Sequence, residues 1–293
     1  NVGYNLIVTK MGKKYPDEFI IIDGHYDTLN GPGANDNGSG TVTLLEIARL
    51  MKDIETDYSI KFIHFTGEER GLIGSQEYVN KIAVPQSLKI KAVLNIDEVG
   101  GVANKANTTI ICEQDESNPT SNNAASSELT NQMATIFPLY TSLQTKISNA
   151  YSSDYMPFQA VGYPITGLFE QNQTPYAHTS QDIIDHLDLT YLTEVAKGAL
   201  ATLLHFSQAQ EKLNTTNHPI STLQVYPNPV KNYLYFSQTL QQPRITIYNE
   251  VGVQVYDKKF QTAVSQINLE HLTTGVYFIN VNSNQYHSKI IKK

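Results

Sequence analysis

His25 and Asp27 follow a short apolar run, Asp36 lies in a glycine-rich stretch, Glu68 and Glu69 stand side by side after a second apolar run, and Asp97 closes a third. Imidazole nitrogens and carboxylate oxygens are what zinc accepts where cysteine is not used, and the single cysteine, Cys112, stands alone. The chemistry these residues suggest is that of a bound cation. Each group also has an ordinary reading: Asp36 as a turn residue in Gly-Ala-Asn-Asp-Asn-Gly, Glu68-Glu69 as a solvated pair, His25-x-Asp27 as a weak two-residue pattern. Jointly the ordinary readings fit less well, because acids gathered at one edge repel one another unless a cation sits among them.

What gathers them is a succession of strand-like and helix-like segments. Phe19-Ile20-Ile21-Ile22 is a continuous apolar run, β-branched from Ile20 on, of the kind found in a doubly covered sheet, followed by a loop from Gly31 to Gly40. Val42, Leu44, Leu45, Ile47, Ala48 and Leu50 recur at helical spacing through Lys52, with Ser39 or Thr41 expected as the cap. Residues 60–65 and 92–96 read as strands and 73–83 as a helix. Beyond them the pattern predicts a strand at 108–112, a polar loop near 117–127, a helix around 128–137, a strand at 164–169 and a closing helix at 189–208. Such alternation implies an α/β fold with a mixed, mostly parallel sheet covered by helices on both faces. In open sheets of that kind the carboxyl ends of the strands form the ligand crevice, which is where these acids and His25 fall.

Residues 209–222 are poor in apolar side chains and read as a linker. After them, Leu223–Pro229, Tyr233–Phe236, Arg244–Asn249, Val253–Tyr256 and Val276–Val281 alternate with period two between Gly, Asn and Pro turns, the pattern of a small antiparallel β-sandwich over 223–293. The charge divides likewise: 14 Lys and Arg against 25 Asp and Glu in residues 1–220, but 7 against 3 in 221–293. An acidic main body argues against nucleic-acid partners, which need clustered Lys and Arg. No apolar run is long enough for a transmembrane helix. The chain opens on Asn1 with neither an initiator Met nor a leader, which favours a processed or truncated start.

At this point five motifs carry a resemblance: His25-Tyr26-Asp27, Gly33–Gly40, Phe65-Thr66-Gly67-Glu68-Glu69, Asn95-Ile96-Asp97 and His178-Thr179-Ser180-Gln181-Asp182. In this order, over residues 1–208, the chain resembles the di-zinc aminopeptidases of the bacterial leucyl aminopeptidase type. The resemblance implies that His25 and Asp97 hold one zinc, Glu69 and His178 the other, and that Asp36 bridges both. It implies Glu68 as general base and Asp27 as the carboxylate that fixes the tautomer of His25. These roles are chemically coherent. Two cations about 3.5 to 4 Å apart need a shared carboxylate between them, and a Glu beside a ligand Glu is free to move a proton.

Two departures from the family pattern stand out: Tyr155 in Ser153-Asp154-Tyr155-Met156-Pro157-Phe158, where relatives have His, and Glu98 directly after Asp97, where an apolar residue is common. Glu98 is expected to bias the substrate pocket toward basic or polar first residues. Met156, Phe158, Phe169 and Tyr176 are candidates to line that pocket, with plain core packing as the alternative. The remaining histidines, His64, His186, His205, His218, His271 and His287, lack partners at ligand spacing and read as structural or solvated, and Cys112 as a small core residue.

The C-terminal region resembles the sorting domains by which Bacteroidetes export proteins through the type IX secretion system. The likeness rests on Val225-Tyr-Pro-Asn-Pro-Val, Ile247-Tyr-Asn-x-x-Gly, Leu272-Thr-Thr-Gly-Val-Tyr-Phe-Ile and the basic close Lys289-Ile-Ile-Lys-Lys. It implies a secreted or surface enzyme whose tail is usually removed. The expected function is thus a secreted zinc aminopeptidase acting on peptides with a free N-terminus. A carboxypeptidase or glutaminyl cyclase on the same fold, or a non-catalytic surface binding protein, are the alternatives.

Overall fold

The computed structural model describes residues 3–210, 223–282 and 286–293. The chain divides into two compact units at residue 212. The first contains β1 (Leu6–Lys10), β2 (Tyr15–His25), α1 (Gly38–Met51), β3 (Glu55–Thr56), β4 (Tyr58–Phe65), α2 (Ile73–Tyr78) and β5 (Lys89–Ile96). There follow β6 (Thr109–Gln114), α3 (Asn123–Tyr140), β7 (Gln144–Asn149), α4 (Met156–Ala160), β8 (Ile165–Glu170), α5 (Leu189–Phe206) and β9 (Ala209–Gln210). Seven strands form one sheet in the order β1-β4-β2-β5-β8-β6-β7. Its centre, β4, β2, β5 and β8, is parallel. β1 runs antiparallel to β4 and β6 antiparallel to β8.

Both faces of this sheet are buried, and the alternation of side chains along a strand decides which helix each residue meets. Ile20, Ile22, Phe62, Leu94 and Leu168 pack with Leu44 and Ile47 of α1, Phe137 of α3 and Val195 and Leu203 of α5. Ile21, Ile63, Phe65, Val93 and Ile165 point the other way, onto Tyr78 of α2 and Phe158 of α4. That is why the central strands read as unbroken apolar runs. The expected helix at 73–83 ends its α-form at Tyr78 and continues as a π turn, Val79–Ala83. The expected helix at 128–137 is longer, because its first turns, Asn-Ala-Ala-Ser-Ser, are too polar to show a periodic face.

Asn37, rather than Ser39 or Thr41, caps α1: its Oδ1 accepts from Gly40 N–H at 2.9 Å. Ser39 and Thr41 are used to tie the helix start down, donating to the carbonyls of Asn35 and His25. Gly40 permits this closeness, since a Cβ there would lie 2.3 Å from the Ile96 carbonyl oxygen. Ala209 and Gln210, expected to begin a linker, pair with Thr56 and Glu55 instead, while 211–222 lie outside the described residues.

The second unit has β10 (Val225–Tyr226), β11 (Tyr233–Leu240), β12 (Arg244–Asn249), β13 (Gln254–Lys259), β14 (Val264–Asn268), β15 (Gly275–Val281) and β16 (Tyr286–Lys292). Antiparallel sheets β10-β11-β14 and β13-β12-β15-β16 enclose Leu234, Phe236, Ile245, Ile247, Ile267 and Ile279.

Candidate metal centre

The parallel strands all deliver chemistry at their carboxyl ends. His25 is the last residue of β2, Glu68 and Glu69 occupy a 3₁₀ turn just after β4, Asp97 follows β5, and the loop after β8 carries His178. Asp36 stands in the loop that leads into α1. Their side chains form two groups, His25 with Asp36 and Asp97, and Asp36 with Glu69 and His178. Within each group the donor atoms lie within 4.8 Å of one another. Asp36 belongs to both. Its Oδ1 is 3.4 Å from His25 Nε2 and its Oδ2 is 3.0 Å from His178 Nε2. Asp97 Oδ1 is 3.2 Å from His25 Nε2, and Glu69 Oε2 is 2.8 Å from His178 Nε2.

This donor set suits a divalent cation. It combines imidazole nitrogen with carboxylate oxygen, and Glu69 Oε1 is buried with no hydrogen-bond partner. Glu68 belongs to neither group, yet it lines the same cavity.

Further polar groups hold these residues in place. His25 Nδ1 lies 3.0 Å from the backbone carbonyl of Asp27, closer than the Asp27 carboxylate at 3.8 Å. The nearest partner of Nδ1 is therefore the main chain and not the Asp27 carboxylate expected in that role; a proton on Nδ1 suits this contact, and Nε2 faces Asp36 and Asp97. The Asp27 carboxylate accepts instead from the backbone N–H of Glu68, at 3.2 Å, and so steadies that turn. Ser153 donates to Asp97 Oδ2 at 2.6 Å.

Three supporting residues escaped the sequence reading of roles. The two oxygens of buried Asp182 accept from the N–H groups of Asn35 and Asp36, so one carboxylate grips the loop that presents the residue the two groups share. Asn35 in turn donates to Glu170, whose other oxygen accepts from Gly101. Asp182 lay within a quoted motif, but spacing alone does not reveal a partner 146 residues away.

The crowding of acids is visible in their proton affinities. Burial, aided by Asp97, raises Asp36 to about 7. Burial raises Glu68 to about 8, with Asp97 and Asp154 adding to it against the opposing charge of His25. Burial disfavours the charged form of His25, but Asp97 outweighs it, with Glu68 and Asp154 contributing, and the imidazole rises to about 11. Asp97 is lowered: burial opposes ionisation, but the charge and hydrogen bond of His25 prevail.

A cavity of about 170 Å³ opens over these groups, walled additionally by Glu98, Glu113, Tyr151, Tyr155 and Phe169. The expected apolar pocket is only partly there. Phe158 is fully buried against Phe65 and Tyr78, and Met156 packs on the same cluster, because α4 turns that side onto the sheet. Tyr176 stacks on His186 with ring centroids 4.0 Å apart and does not line the cavity. Tyr155 reaches it, but as a buried phenol whose hydroxyl donates to Glu113 at 2.8 Å. His64 is buried in β4, as expected of a structural histidine, and burial lowers its pKa. A larger groove of about 860 Å³ between α3 and α5 contains none of the candidate ligands.

With α/β fold and paired ligand groups in view, comparison with known proteins places the molecule in a class. Residues 5–203 match peptidase family M28 and residues 224–293 match the secretion system C-terminal sorting domain, so the chain belongs to family M28 and carries an export signal at its C-terminal end. It is similar to aminopeptidase YwaD of Bacillus subtilis, 30% identical over 219 residues that make up 72% of this chain and 46% of that protein. Among solved structures it resembles a zinc aminopeptidase from Bacillus subtilis (TM-score 0.58, 27% identity, 71% of this chain and 51% of that one). It also resembles the LapA aminopeptidase of Legionella pneumophila (TM-score 0.60, 30% identity, 71% and 56%). The chain spans about half the length of the relatives it matches. A glutaminyl cyclase from an Acidobacteriales bacterium shares the fold, at 24% identity and a TM-score of 0.56. The sorting domain marks the protein for export to the cell surface or beyond it. Among the described residues no helix is long and apolar enough to cross a membrane.

Proposed function

We propose that the protein is an exported metallo-aminopeptidase that removes the first residue from peptides with a free N-terminus, with two zinc ions as its cofactor. The observation that supports this most directly is the pair of ligand groups sharing Asp36, with Glu68 beside them in one cavity and committed to neither. His25 and Asp97 would hold one ion, Glu69 and His178 the other, and Asp36 both. Bound there, the ions would supply Lewis-acid polarisation of the scissile carbonyl and an acidified water. Glu68 accepts the proton of the attacking water and returns it to the leaving amine, while the Asp27 carboxylate holds the Glu68 backbone in register. Asp182 keeps the Asp36 loop closed on the His178 loop.

The cavity favours an aminopeptidase over a carboxypeptidase. Among the described residues no Lys or Arg lines it to receive a substrate carboxylate, whereas its acids suit an ammonium group. A cyclase remains the rival on this fold, and a binding protein without turnover is the rival outside enzymes. The C-terminal unit would be read by the type IX secretion machinery.

Glu68→Gln tests the reading. The expected result is a fall in turnover of aminoacyl anilides on the order of 10²–10⁴ with two zinc ions per chain retained, measured by elemental analysis. Retained activity removes Glu68 from the chemistry, and one ion per chain with cyclisation of N-terminal glutamine supports the cyclase.

A further inference from the structure

Two carboxylates on the cavity wall have no task in hydrolysis. Glu98 follows Asp97 and is half-buried, and Glu113, on β6, is 5% exposed. Both line the same cavity as the ligand groups. The setting of Glu113 is constructed. Its Oε2 accepts from the Tyr155 hydroxyl, the one side-chain hydrogen bond its carboxyl receives among the described residues. Tyr155 is itself 1% exposed. Opposite Glu113 on β8 stands Gly167, where a Cβ would come within 2.7 Å of both Glu113 Oε2 and the Tyr155 ring. The glycine therefore makes room for the carboxyl, and the tyrosine orients it.

Among the described residues no Lys or Arg lines the cavity, and its two histidines, His25 and His178, face Asp36, Asp97 and Glu69 instead of these two acids. Tyr151, on the same wall, is held protonated by burial first and then by the charges of Glu113 and Glu98 together, which places both acids near one phenol. A buried carboxylate is costly unless it is hydrogen-bonded and paired with a cation. A substrate's α-ammonium can answer only one such group. Phe169, on the same wall, offers apolar surface for an aliphatic stem, the other half of what a long basic side chain needs.

We propose that Glu98 and Glu113 form the subsite for the side chain of the first residue and that it takes a cationic one, so that the substrates are peptides beginning with lysine or arginine. This rests on the aminopeptidase reading. It extends the sequence expectation for Glu98 to a second carboxylate, from a different strand, that the sequence did not single out.

The test uses the full chain loaded with zinc and four p-nitroanilides, those of lysine, arginine, leucine and norleucine, the last matching the lysine stem without its ammonium group. The expected kcat/KM for lysyl exceeds that for norleucyl at least tenfold. Glu113→Gln, which keeps an acceptor for Tyr155, and Glu98→Gln each lower that ratio at least threefold. Because Glu113 is buried and its variant can misfold, the wild-type ratio and the half-buried Glu98→Gln decide the matter without it. Turnover with a lysyl-to-norleucyl ratio near one overturns the subsite alone, as does a ratio untouched by Glu98→Gln. Equal losses on lysyl and norleucyl substrates also overturn it, assigning the acids to the α-amine. No turnover of any of the four by zinc-loaded protein overturns the aminopeptidase reading itself, and the subsite with it.

Discussion

The two candidate ligand groups share Asp36 and differ in how they are held. His25 and Asp97 sit at or directly after the ends of two neighbouring parallel strands, and His25 is 1% exposed. Glu69 and His178 come from a turn and a long loop, and His178 is 50% exposed with a left-handed backbone, φ 60°. A strand end inherits its position from the sheet. A loop residue has to be propped, and a non-glycine residue at positive φ persists only where its surroundings hold it. Here the prop is Asp182, four residues on, gripping the Asn35 and Asp36 backbone. On the two-zinc reading proposed above, a strand-borne group and a loop-borne group would therefore bind their ions with unequal strength.

The largest effect belongs to the residue the groups have in common. Asp36→Ala should empty both, giving less than one zinc per chain by elemental analysis and a loss of activity exceeding the ~10²–10⁴ of a single acid–base group. If one ion stays, the groups are independent. Next come the two histidines. His178→Ala should release one ion at low chelator concentration and keep the other, whereas His25→Ala should weaken the tighter site, and identical chelation curves would erase the contrast. Asp182→Asn loosens the loop that carries the shared Asp36 and should weaken both ions, the loop-side one by about 10–100-fold and the strand-side one less, read by competition with a chromophoric chelator.

The mildest effect concerns pH. In the metal-free protein burial raises Asp23 and Asp36 to about 7 and Glu68 and Glu113 to about 8. From about pH 4 to 8 the folded chain therefore binds more protons than the unfolded one, and stability falls as pH rises. His25, raised to about 11, has the same sign above its unfolded value near 6.5. Thermal melts of chelated protein should drop by several degrees from pH 5 to 8 and flatten once zinc is restored. A flat profile without metal would show that the acids are already compensated.

The strand-end candidates are legible in the sequence because each stands next to a pattern with a strong period, whereas Asp36 and His178 lie in loops and show only through the motifs that carry the resemblance. Ile20-Ile21-Ile22 announces a strand covered on both faces, and so locates His25 at its end. Edge strands leave weaker traces: Leu6–Lys10 and Gln144–Asn149 are mostly exposed, so no burial rule shaped their residues. Aromatic residues also conceal their direction. Phe158 and Phe169 look alike in the chain, yet one fills the core and the other faces the cavity. Glu113 gives no such signal: it follows a short apolar run, Ile110–Cys112, and its setting depends on Tyr155 and Gly167 from later segments.

The two halves keep their interiors separate. Leu234, Phe236, Ile247 and Ile279 close around one another, and among the described residues that cluster draws no member from before 223, nor do the clusters of the N-terminal unit draw any from after 206. A single scission between them would open neither oily interior. Removal of the delivery label after export, the step the resemblance to sorting domains implies, would leave each of these described clusters whole.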